Sequence, residues 1–257
     1  MPSNVQGSIA ADERLRWLTG KLTADGVVTI VEAAEALAVS EMTIRRDLVE
    51  LEERGGARRV RGGARAVGPL SFAERHDTAT RAKGRIAAKL LALVPATGAV
   101  AFDASSTVMR LAGAMADARD LADLTVLTNG PDTFNALHGL PGVTAILTGG
   151  QLEPKTGSLV GPVACRAAAQ FAVQTFFASA AAVDPATGAL EMTLEEAEVK
   201  RSIAAGAGEV VLAVDASKLA SRAFAVGVDW ERIDILVTEL APTDPRLTPY
   251  RALAQLL

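Results

Sequence analysis

Arginine side chains are concentrated in one short part of the 257-residue chain. Between Arg54 and Arg65 the sequence holds five arginines and no acidic residue, although the whole chain has a formal net charge of −4. Residues 1–66 contain ten basic and ten acidic residues, so this segment is neutral apart from one positive edge. Such an edge can bind a polyanion locally, while the polyanion repels the acidic remainder of the chain.

Small polar residues that could bind an anion follow several apolar runs in the rest of the chain. The stretch AVAFDASST, residues 99–107, places Asp103 after a β-like run and before a Ser/Thr loop that opens a helix. Backbone N–H groups at a helix start, together with hydroxyl groups, suit a phosphate. Lys218 also directly follows an apolar run, beside Ser217, and could supply positive charge. Serine and threonine cap helices in every kind of protein, so the loop alone is not specific.

Three short helices are predicted to position the arginine-rich segment. Leucines at helical spacing predict the first over residues 12–24, ended by Gly26. Thr29 is expected to cap the second helix in a capping-box arrangement with Glu32, and Ser40 to cap the third. Three helices of this length are typical of small DNA-binding domains.

The third helix is predicted to run from Ser40 to about residue 54 and to bury a stripe made by Ile44, Leu48 and Leu51. The Gly-Gly pair at 55–56 would stop it, and residues 57–63 would then form a short β-ribbon with a turn at Gly62 and Gly63. This order predicts a winged helix-turn-helix domain over residues 1–66, with its third helix in a DNA major groove.

Exposed residues of the third helix would meet base edges, since Arg can bind guanine in a bidentate manner. The wing arginines would contact phosphate or the minor groove, which adds affinity more than sequence choice. The alternative is that these arginines are merely solvated, or that Arg46 pairs with Glu50 one turn away. The predicted DNA-binding residues are Ser40, Thr43, Arg45, Arg46, Arg58, Arg59 and Arg61.

The stretch VSEMTIRRDLVELEERGGARRVRGGA, residues 39–64, resembles the signature of the DeoR family of bacterial transcriptional regulators. That signature is a V-S-x-x-T-I-R-R-D-L helix followed by a Gly, an Arg and a G-G-A wing. Arg61 stands where the family commonly has His, which keeps a hydrogen-bond donor and makes its charge permanent. The matching residues are Thr43, Ile44, Arg45, Arg46, Asp47, Leu48, Gly55, Arg59, Gly62, Gly63 and Ala64.

After a linker at 67–80, residues 81–257 alternate β-like and helical runs. This pattern predicts an α/β, Rossmann-like domain with a mainly parallel sheet covered by helices on both faces. Ligands bind at the carboxyl ends of strands in such sheets. The β-like runs are 99–102, 124–128, 143–148, 175–183, 210–214 and 233–238, and the helical runs are 83–93, 107–116, 132–137, 163–172 and 194–205.

The segments D-A-S-S-T, T-N, G-G, S-L-V-G, E-A-E-V-K-R and D-A-S-K are similar in order to the DeoR effector domain, a relative of ribose-5-phosphate isomerase. The resemblance implies a sugar-phosphate pocket. Glu195, Glu198 and Lys200 are candidate inward groups at the start of a predicted helix; the alternative is that the glutamates only favour the helix dipole and the lysine is solvated. Two departures stand out: an Ala precedes the V-D pair where the family usually has Gly, and Glu239 replaces a common Asp. The implied effector-binding residues are Asp103, Ala104, Ser105, Ser106, Thr107, Asn129, Gly150, Asp184, Glu195, Lys200 and Lys218.

Several other classes of site and protein are disfavoured. Cys165 is the single cysteine, and neither His76 nor His138 has metal-ligand spacing, so no metal and no cofactor are expected. The sequence has no Walker loop and no dinucleotide fingerprint. It also lacks a signal-peptide pattern and an apolar run that could span a bilayer, so a soluble cytoplasmic protein without membrane partners is expected.

These observations together predict a DNA-binding transcriptional regulator and not an enzyme. The protein is expected to be a repressor of sugar-metabolism genes. A phosphorylated sugar is expected to modulate its affinity for double-stranded operator DNA. A homo-oligomer is also expected, as a dimer or a tetramer, because reading symmetric DNA needs at least two heads. One alternative is a sugar-phosphate isomerase that uses Asp103, Asp184, Glu198 and Lys200 in acid–base chemistry. Another is a regulator whose pocket has lost its ligand.

Overall fold

The chain divides into two compact units, Met1–Gly68 and Pro69–Leu257, here termed the head and the body. Arg54, the Gly-Gly pair at 55–56 and the connector at 67–71 lie outside the described residues, so the helix stop, linker and exact domain boundaries stay predictions. Within the described ranges, no helix has both the length and the apolar character that crossing a membrane requires. The computed structural model describes residues 10–53, 57–66, 72–118 and 121–257.

The head contains the predicted three helices and β-ribbon, which confirms a winged helix-turn-helix arrangement. One strand was not predicted: β1 lies between the first two helices and pairs antiparallel with β3, so the described part of the wing is a three-stranded sheet in the order β1-β3-β2. The elements are α1 (Ala11–Asp25), β1 (Val27–Thr29), α2 (Ile30–Ala36), α3 (Glu41–Glu53), β2 (Ala57–Val60) and β3 (Gly63–Ala66).

Local sequence signals explain where the head helices begin and end. Gly26 adopts a left-handed conformation (φ 74°) and its N–H donates to the Leu22 carbonyl, which ends α1. The Thr29 hydroxyl accepts from the Glu32 N–H at 3.1 Å, as predicted for a cap. The Glu32 carboxylate does not complete a capping box, since it pairs with Lys21 at 2.7 Å.

The body is built on a seven-stranded sheet in the order β15-β14-β12-β9-β4-β5-β6, and each neighbouring pair in it is parallel. A parallel sheet needs crossover connections, and α6 supplies one between β4 and β5. The sheet strands are β4 (Thr97–Phe102), β5 (Asp123–Thr128), β6 (Val143–Leu147), β9 (Val173–Ala178), β12 (Ala207–Ala213), β14 (Ile235–Val237) and β15 (Gln255–Leu256). The helices are α4 (Phe72–Asp77), α5 (Thr80–Leu91), α6 (Ser106–Ala118), α7 (Pro131–Leu137), α8 (Gly161–Ala168) and α9 (Leu194–Ala205).

Both faces of this sheet are buried, which explains why its strands read as continuous apolar runs. Phe176 packs in a core cluster with residues of α8 and α9, such as Val199. The next residue, Phe177, packs in a second cluster with residues of α5 and α6, such as Ile86 and Leu111. The predicted coverage by helices on both faces is therefore confirmed.

Short strands outside the main sheet were not predicted. The β-like run at 175–183 is in fact two strands interrupted at residues 179–181, because the chain leaves the main sheet after Ala178. Strands of three or four residues carry too little periodicity to stand out in a sequence. They are β7 (Gln151–Glu153) paired with β8 (Ser158–Val160), and a sheet of β10 (Ala182–Asp184), β11 (Gly188–Glu191) and β13 (Ala225–Val228).

The carboxyl ends of four strands meet at one edge of the main sheet. Phe102 at the end of β4 is in register with Thr128 of β5 and Phe177 of β9. Leu212 of β12 is in register with Ala178 of β9. The polar residues that follow these strands are therefore brought to the same edge, where open α/β sheets bind ligands.

Candidate functional site

The amino end of α3 is fixed by side-chain hydrogen bonds from its own first turn. The Ser40 hydroxyl accepts from the Thr43 N–H at 3.1 Å, and the two hydroxyl oxygens are 2.9 Å apart. Ser40 is therefore the predicted cap of α3. Its hydroxyl remains exposed, so it can still hydrogen bond to a phosphate or a base.

Arginines of α3 and of the wing line one open groove. Arg45 and Arg46 from α3 face Arg59 and Arg61 from the wing across it, with Met42 at its rim. Arg45 forms an exposed ion pair with Glu41 at 3.3 Å, which contributes little to stability. Within the described residues Arg46 has no hydrogen bond or ion pair, so the alternative of an Arg46–Glu50 pair is not seen.

The wing arginines differ in how firmly they are held. Arg59 donates to Glu52 through its backbone N–H at 2.8 Å and its Nε at 2.6 Å. The side-chain hydrogen bond from Arg59, followed by the backbone one, lowers the pKa of Glu52. Arg58 and Arg61 are exposed and make no hydrogen bond or ion pair to the rest of the described chain. Two wing cations are thus free to meet a polyanion, and a third is tethered to α3.

A buried ion pair that was not predicted ties α3 to α1. Arg14 donates from Nε to Asp47 Oδ2 at 2.7 Å and from a terminal nitrogen to Oδ1 at 2.9 Å. Both side chains are largely buried, at 11% and 6% exposure. The hydrogen bond that Arg14 donates to Asp47 raises the pKa of Arg14 against the opposing effect of burial, and Glu50 adds to the increase. Asp47, part of the T-I-R-R-D segment, therefore ties to α1 the helix that carries Arg45 and Arg46, the two residues before it.

In the body, Asp103 is fully buried and its carboxylate organises the loop that follows β4. Oδ1 accepts from the Ser105 N–H at 3.0 Å, and Oδ2 accepts from the Ser179 N–H at 2.8 Å. Lys200 Nζ lies 3.0 Å from the same Oδ2. Asp103 was predicted to contact an effector. In the structure its carboxylate instead binds Ser105, Ser179 and Lys200 of the protein itself.

Lys200 and Glu191 complete a buried group of charges with Asp103. Lys200 Nζ donates to Glu191 Oε1 and to the Ser179 carbonyl, both at 2.6 Å. Burial lowers the pKa of Lys200, but attraction by Glu191 and Asp103 outweighs burial and raises it. Burial raises the pKa of Glu191 to about 7 despite the opposing effect of Lys200. One ammonium is shared by two carboxylates, so Lys200 is held in place by the protein itself.

The predicted phosphate loop forms the start of α6 and is buried. Ala104, Ser105, Ser106 and Thr107 are each at most 7% exposed, and the Ser105 hydroxyl accepts from the Val108 N–H at 3.1 Å. The Ser106 hydroxyl is not bound within its own helix, because it accepts from Lys83 of α5 at 3.1 Å. The loop thus has the capped helix start that the sequence predicts, with a lysine beside it.

Lys218 and Asn129 lie at the same edge of the sheet. Lys218 is near enough to Lys83, the lysine that binds Ser106, to lower the pKa of Lys83. Asn129 Nδ2 donates to the Leu159 carbonyl at 3.2 Å, while its buried Oδ1 has no hydrogen-bond partner among the described residues. A buried oxygen without a donor can accept a hydrogen bond from a ligand hydroxyl.

Four residues that were predicted to face the effector lie in less favourable positions. Gly150 has φ 121°, and a Cβ there would lie 2.8 Å from the Val160 carbonyl oxygen, so packing explains this glycine. Asp184 accepts from the Ala186 N–H at 2.8 Å within a turn. Glu195 and Glu198 are exposed, contrary to the expectation that they face inward, because the helical repeat of α9 turns them to solvent.

Sequence reasoning missed several charged residues that the structure places at or near the sheet edge. Glu196, and not Glu195, contacts the β8 strand, where it accepts from the Ser158 hydroxyl at 3.1 Å. Lys83 is buried on the apolar face of α5 that also carries Ile86 and Leu90. A lysine at a buried position of a periodic helix is a signal that could have been read from the sequence.

Comparisons with known proteins agree with both halves of the chain. Residues 14–69 match the DeoR-like helix-turn-helix domain, and residues 78–240 match the DeoR C terminal sensor domain. The chain is similar to the HTH-type transcriptional repressor GlcR of Bacillus subtilis (strain 168), with 30% identity over 90% of this chain and 89% of that protein. It is also 29% identical to the glycerol-3-phosphate regulon repressor of Escherichia coli (strain K12), over 84% of this chain and 86% of the relative.

Similarity to solved structures is much weaker. Ribose 5-phosphate isomerase from Plasmodium falciparum superposes with a TM-score of 0.38 and 12% identity, over 53% of this chain and 51% of that one. The eIF2B beta structure from Chaetomium thermophilum gives a TM-score of 0.47 at 12% identity, over 97% of this chain and 85% of that one. Neither level of similarity supports a functional argument.

We expect Asp47→Asn to destabilise the head by about 3 kcal/mol, because it leaves the buried Arg14 guanidinium without its bidentate partner. The measurement is urea unfolding followed by fluorine NMR of fluorotryptophan-labelled protein. Trp17 reports on the head in that experiment and Trp230 on the body. The control is Glu41→Gln, which breaks only an exposed pair on the same helix and should cost less than about 1 kcal/mol. Equal losses in the two variants would contradict the positioning role of Asp47.

We expect the stability of the body to fall as pH rises from about 4.5 to about 7. Glu191 has an ordinary pKa of 4.5 and a folded-state pKa of about 7, so the folded state binds more protons in this window. Glu191→Gln should remove this part of the pH dependence, whereas Glu195→Gln on the exposed face of α9 should leave it unchanged. The pH dependence of stability is measured from the urea midpoints of the Trp230 signal at several pH values. The same slope in wild type and Glu191→Gln would show that Glu191 does not titrate there.

Proposed function

Because the chain belongs to the DeoR family of transcriptional regulators, we propose that it represses sugar-metabolism genes and that a phosphorylated sugar sets its affinity for operator DNA. The observation that carries this proposal is the groove lined by α3 and the wing, in which Arg46 and Arg61 make no ion pair to the described residues while Arg45 and Arg59 each have one acidic partner. The repressor names of its relatives support the direction of control, and one of them is named for a glycerol-3-phosphate regulon.

In the proposed complex, α3 enters the major groove of the operator. Arg46 is exposed and unpaired within the described residues, so it can reach a guanine edge without breaking an internal contact. Arg45 can do the same after it leaves Glu41. Ser40 and Thr43 lie at the amino end of α3, where hydroxyl and N–H groups meet backbone phosphate.

The wing is proposed to add affinity more than sequence choice. Arg58 and Arg61 are free cations on a β-ribbon, which suits phosphate or minor-groove contacts. Arg59 must exchange Glu52 for a phosphate oxygen, so its net contribution is expected to be smaller.

The effector is proposed to bind at the carboxyl edge of the main sheet. The loop Ala104–Thr107 and Lys218 would hold its phosphate, and Asn129 Oδ1 would accept from a sugar hydroxyl. Asp103 and Lys200 already bind each other and the Ser179 backbone, so their proposed role shifts from sugar contact to holding the loop in shape.

The signal is proposed to pass through a homo-oligomer, either a dimer or a tetramer. An effector changes DNA affinity only if it binds one conformation or assembly better than another. In an assembly with two heads, a change in their separation alters the fit to two half-sites. The residue that departs from the family pattern, Ala182 before Val183, is buried in β10 and paired with Leu190 of β11.

The isomerase alternative gains no support from the site. It needs a free acid–base pair, but Asp103 and Lys200 are held in a buried ion pair and Glu198 is exposed. The named relatives are regulators and repressors. A second function is therefore not proposed.

We expect Arg46→Ala to weaken binding to a specific operator by about 1–3 kcal/mol while the head stays folded. The operator would be selected from random duplexes, and affinity measured by fluorescence anisotropy at fixed salt. Arg16→Ala is the matched control, because Arg16 is an exposed head arginine on α1 and not on the groove. Failure of the wild type to bind any duplex in dilute buffer would overturn the proposal, as would equal losses in both variants.

We expect at least one member of a panel of triose, pentose and hexose phosphates to weaken operator binding, typically by about 5–150-fold. The corresponding sugars without phosphate should have no effect at the same ionic strength. Lys218→Ala should lose the response and keep its DNA affinity, because Lys218 lies in the body. A panel in which no compound changes DNA affinity would contradict effector control.

A further inference from the structure

The most unusual charged group outside the predicted residues is Lys83, which is only 5% exposed. Its ammonium donates to the Ser106 hydroxyl at 3.1 Å and to the carbonyl oxygen of Arg75. An ammonium group has three N–H donors, so one remains for a further acceptor. Lys83 thus links α4, α5 and the start of α6 through a single nitrogen.

Other cations surround this lysine. Burial is the main reason that the pKa of Lys83 falls to about 8, and Lys218, Arg110 and Arg75 lower it further. Asp215 is the carboxylate that opposes them. Buried charges in proteins are normally paired with opposite charges. Among the described residues that act on Lys83, three further cations and one carboxylate leave a local excess of positive charge that an anion would neutralise.

Two of these cations have hydrogen-bond donors without acceptors. The Nε atoms of Arg75 and Arg110 are buried and have no partner in the described part of the chain. Their terminal nitrogens are used elsewhere: Arg75 donates to the Thr156 carbonyl, and Arg110 donates to the His76 carbonyl at 2.8 Å. Buried donors without an acceptor are rare in folded proteins, and they often mark a position where an ion or an ordered water binds.

We propose that Lys83, Arg75, Arg110 and Lys218, here termed the cation cluster, bind the phosphate group of the effector beside Ser106, with α4 as the cover of the site. The inference rests on the proposed function in assuming that the effector carries a phosphate. It extends that function by assigning three residues that neither the motif nor the family resemblance indicates. It also proposes that α4 packs more firmly against the body when phosphate occupies this site.

Charge explains why α4 responds to the anion. Arg75 belongs to α4, and Lys83 holds the Arg75 backbone carbonyl while its ammonium repels the Arg75 guanidinium. A phosphate dianion turns this repulsion into two charge-assisted contacts to the same ion. Since Lys83 and Ser106 are buried and Lys83 is bonded to the Arg75 carbonyl of α4, the proposed anion enters when α4 opens and is enclosed when it closes.

The position of α4 in the chain makes this a route for the signal. It is the first described element of the body, six residues after the last described residue of the head, Ala66. A change in the order of α4 therefore affects the described part of the body that follows the head first along the sequence.

The test uses the full-length protein and inorganic phosphate as the probe, with sodium chloride at equal ionic strength as the reference. Phosphate binding is measured by calorimetry, and the order of α4 by hydrogen exchange of peptides covering residues 72–83. We expect wild type to bind phosphate and to exchange more slowly in these peptides when phosphate is present. Lys83→Met should bind phosphate about ten-fold more weakly or not at all, because a charge-assisted contact is lost.

The matched control is Lys89→Met on the same helix. Lys89 is also partly buried and donates to the carbonyls of Thr238 and Leu240, at 2.8 and 2.9 Å, but it is not in the cation cluster. It should bind phosphate like wild type. Arg110→Gln provides a second variant should Lys83→Met fail to fold, and it should also weaken phosphate binding.

Two results would overturn the inference. One is a wild-type protein whose α4 peptides exchange equally fast with and without phosphate. The other is unchanged phosphate affinity in folded Lys83→Met or Arg110→Gln. If a sugar phosphate still releases wild type and Lys83→Met equally from operator DNA, the proposed function survives and only the cation cluster is wrong. If no duplex is bound at all, the proposed function fails independently of this test.

Discussion

The carboxyl edge of the body's main sheet depends on the contacts of the buried Asp103 carboxylate. This carboxylate receives the N–H of Ser105 in its own loop, the N–H of Ser179 after the neighbouring strand, and the ammonium of Lys200 from α9. These partners come from three separate parts of the chain, so one side chain sets the distance between two strand ends and a helix. The direction of α6, and hence of its hydroxyl-rich first turn, follows from this arrangement.

Much of the fold was predictable because its elements are governed by local and periodic signals. The caps at Thr29 and Ser40 and the left-handed Gly26 are short-range features, and the structure has them where the sequence predicts. The long parallel strands were predicted because both of their faces are apolar. The small sheet of β10, β11 and β13 was missed because its strands are short and because β13 pairs with β11 from a distant part of the chain.

The site was less predictable than the fold for a physical reason. Motif residues identified the loop at Ser105–Thr107, but a sequence does not show which charges meet after folding. Asp103 and Lys200 were expected to face a ligand, yet they bind each other. Lys83 lies 23 residues before the serine that it contacts, and its role depends on the packing of α5 against α6. Tertiary structure decides which distant charges pair, whereas helix caps and buried strands can be predicted from neighbouring residues in the sequence.

The acidic partners of the groove arginines have a consequence for how the head would search a genome. In the free protein Glu41 and Glu52 form ion pairs with the guanidinium groups of Arg45 and Arg59. These carboxylates bind the arginines as a DNA phosphate would. In the proposed complex any stretch of duplex displaces these carboxylates, which reduces affinity for random sequence, where backbone charge is the main attraction. Correct base pairs can offset that cost through contacts that random sequence cannot offer. Because a chromosome presents a vast excess of wrong sites, weaker retention on them leaves more of the repressor population available for its true targets.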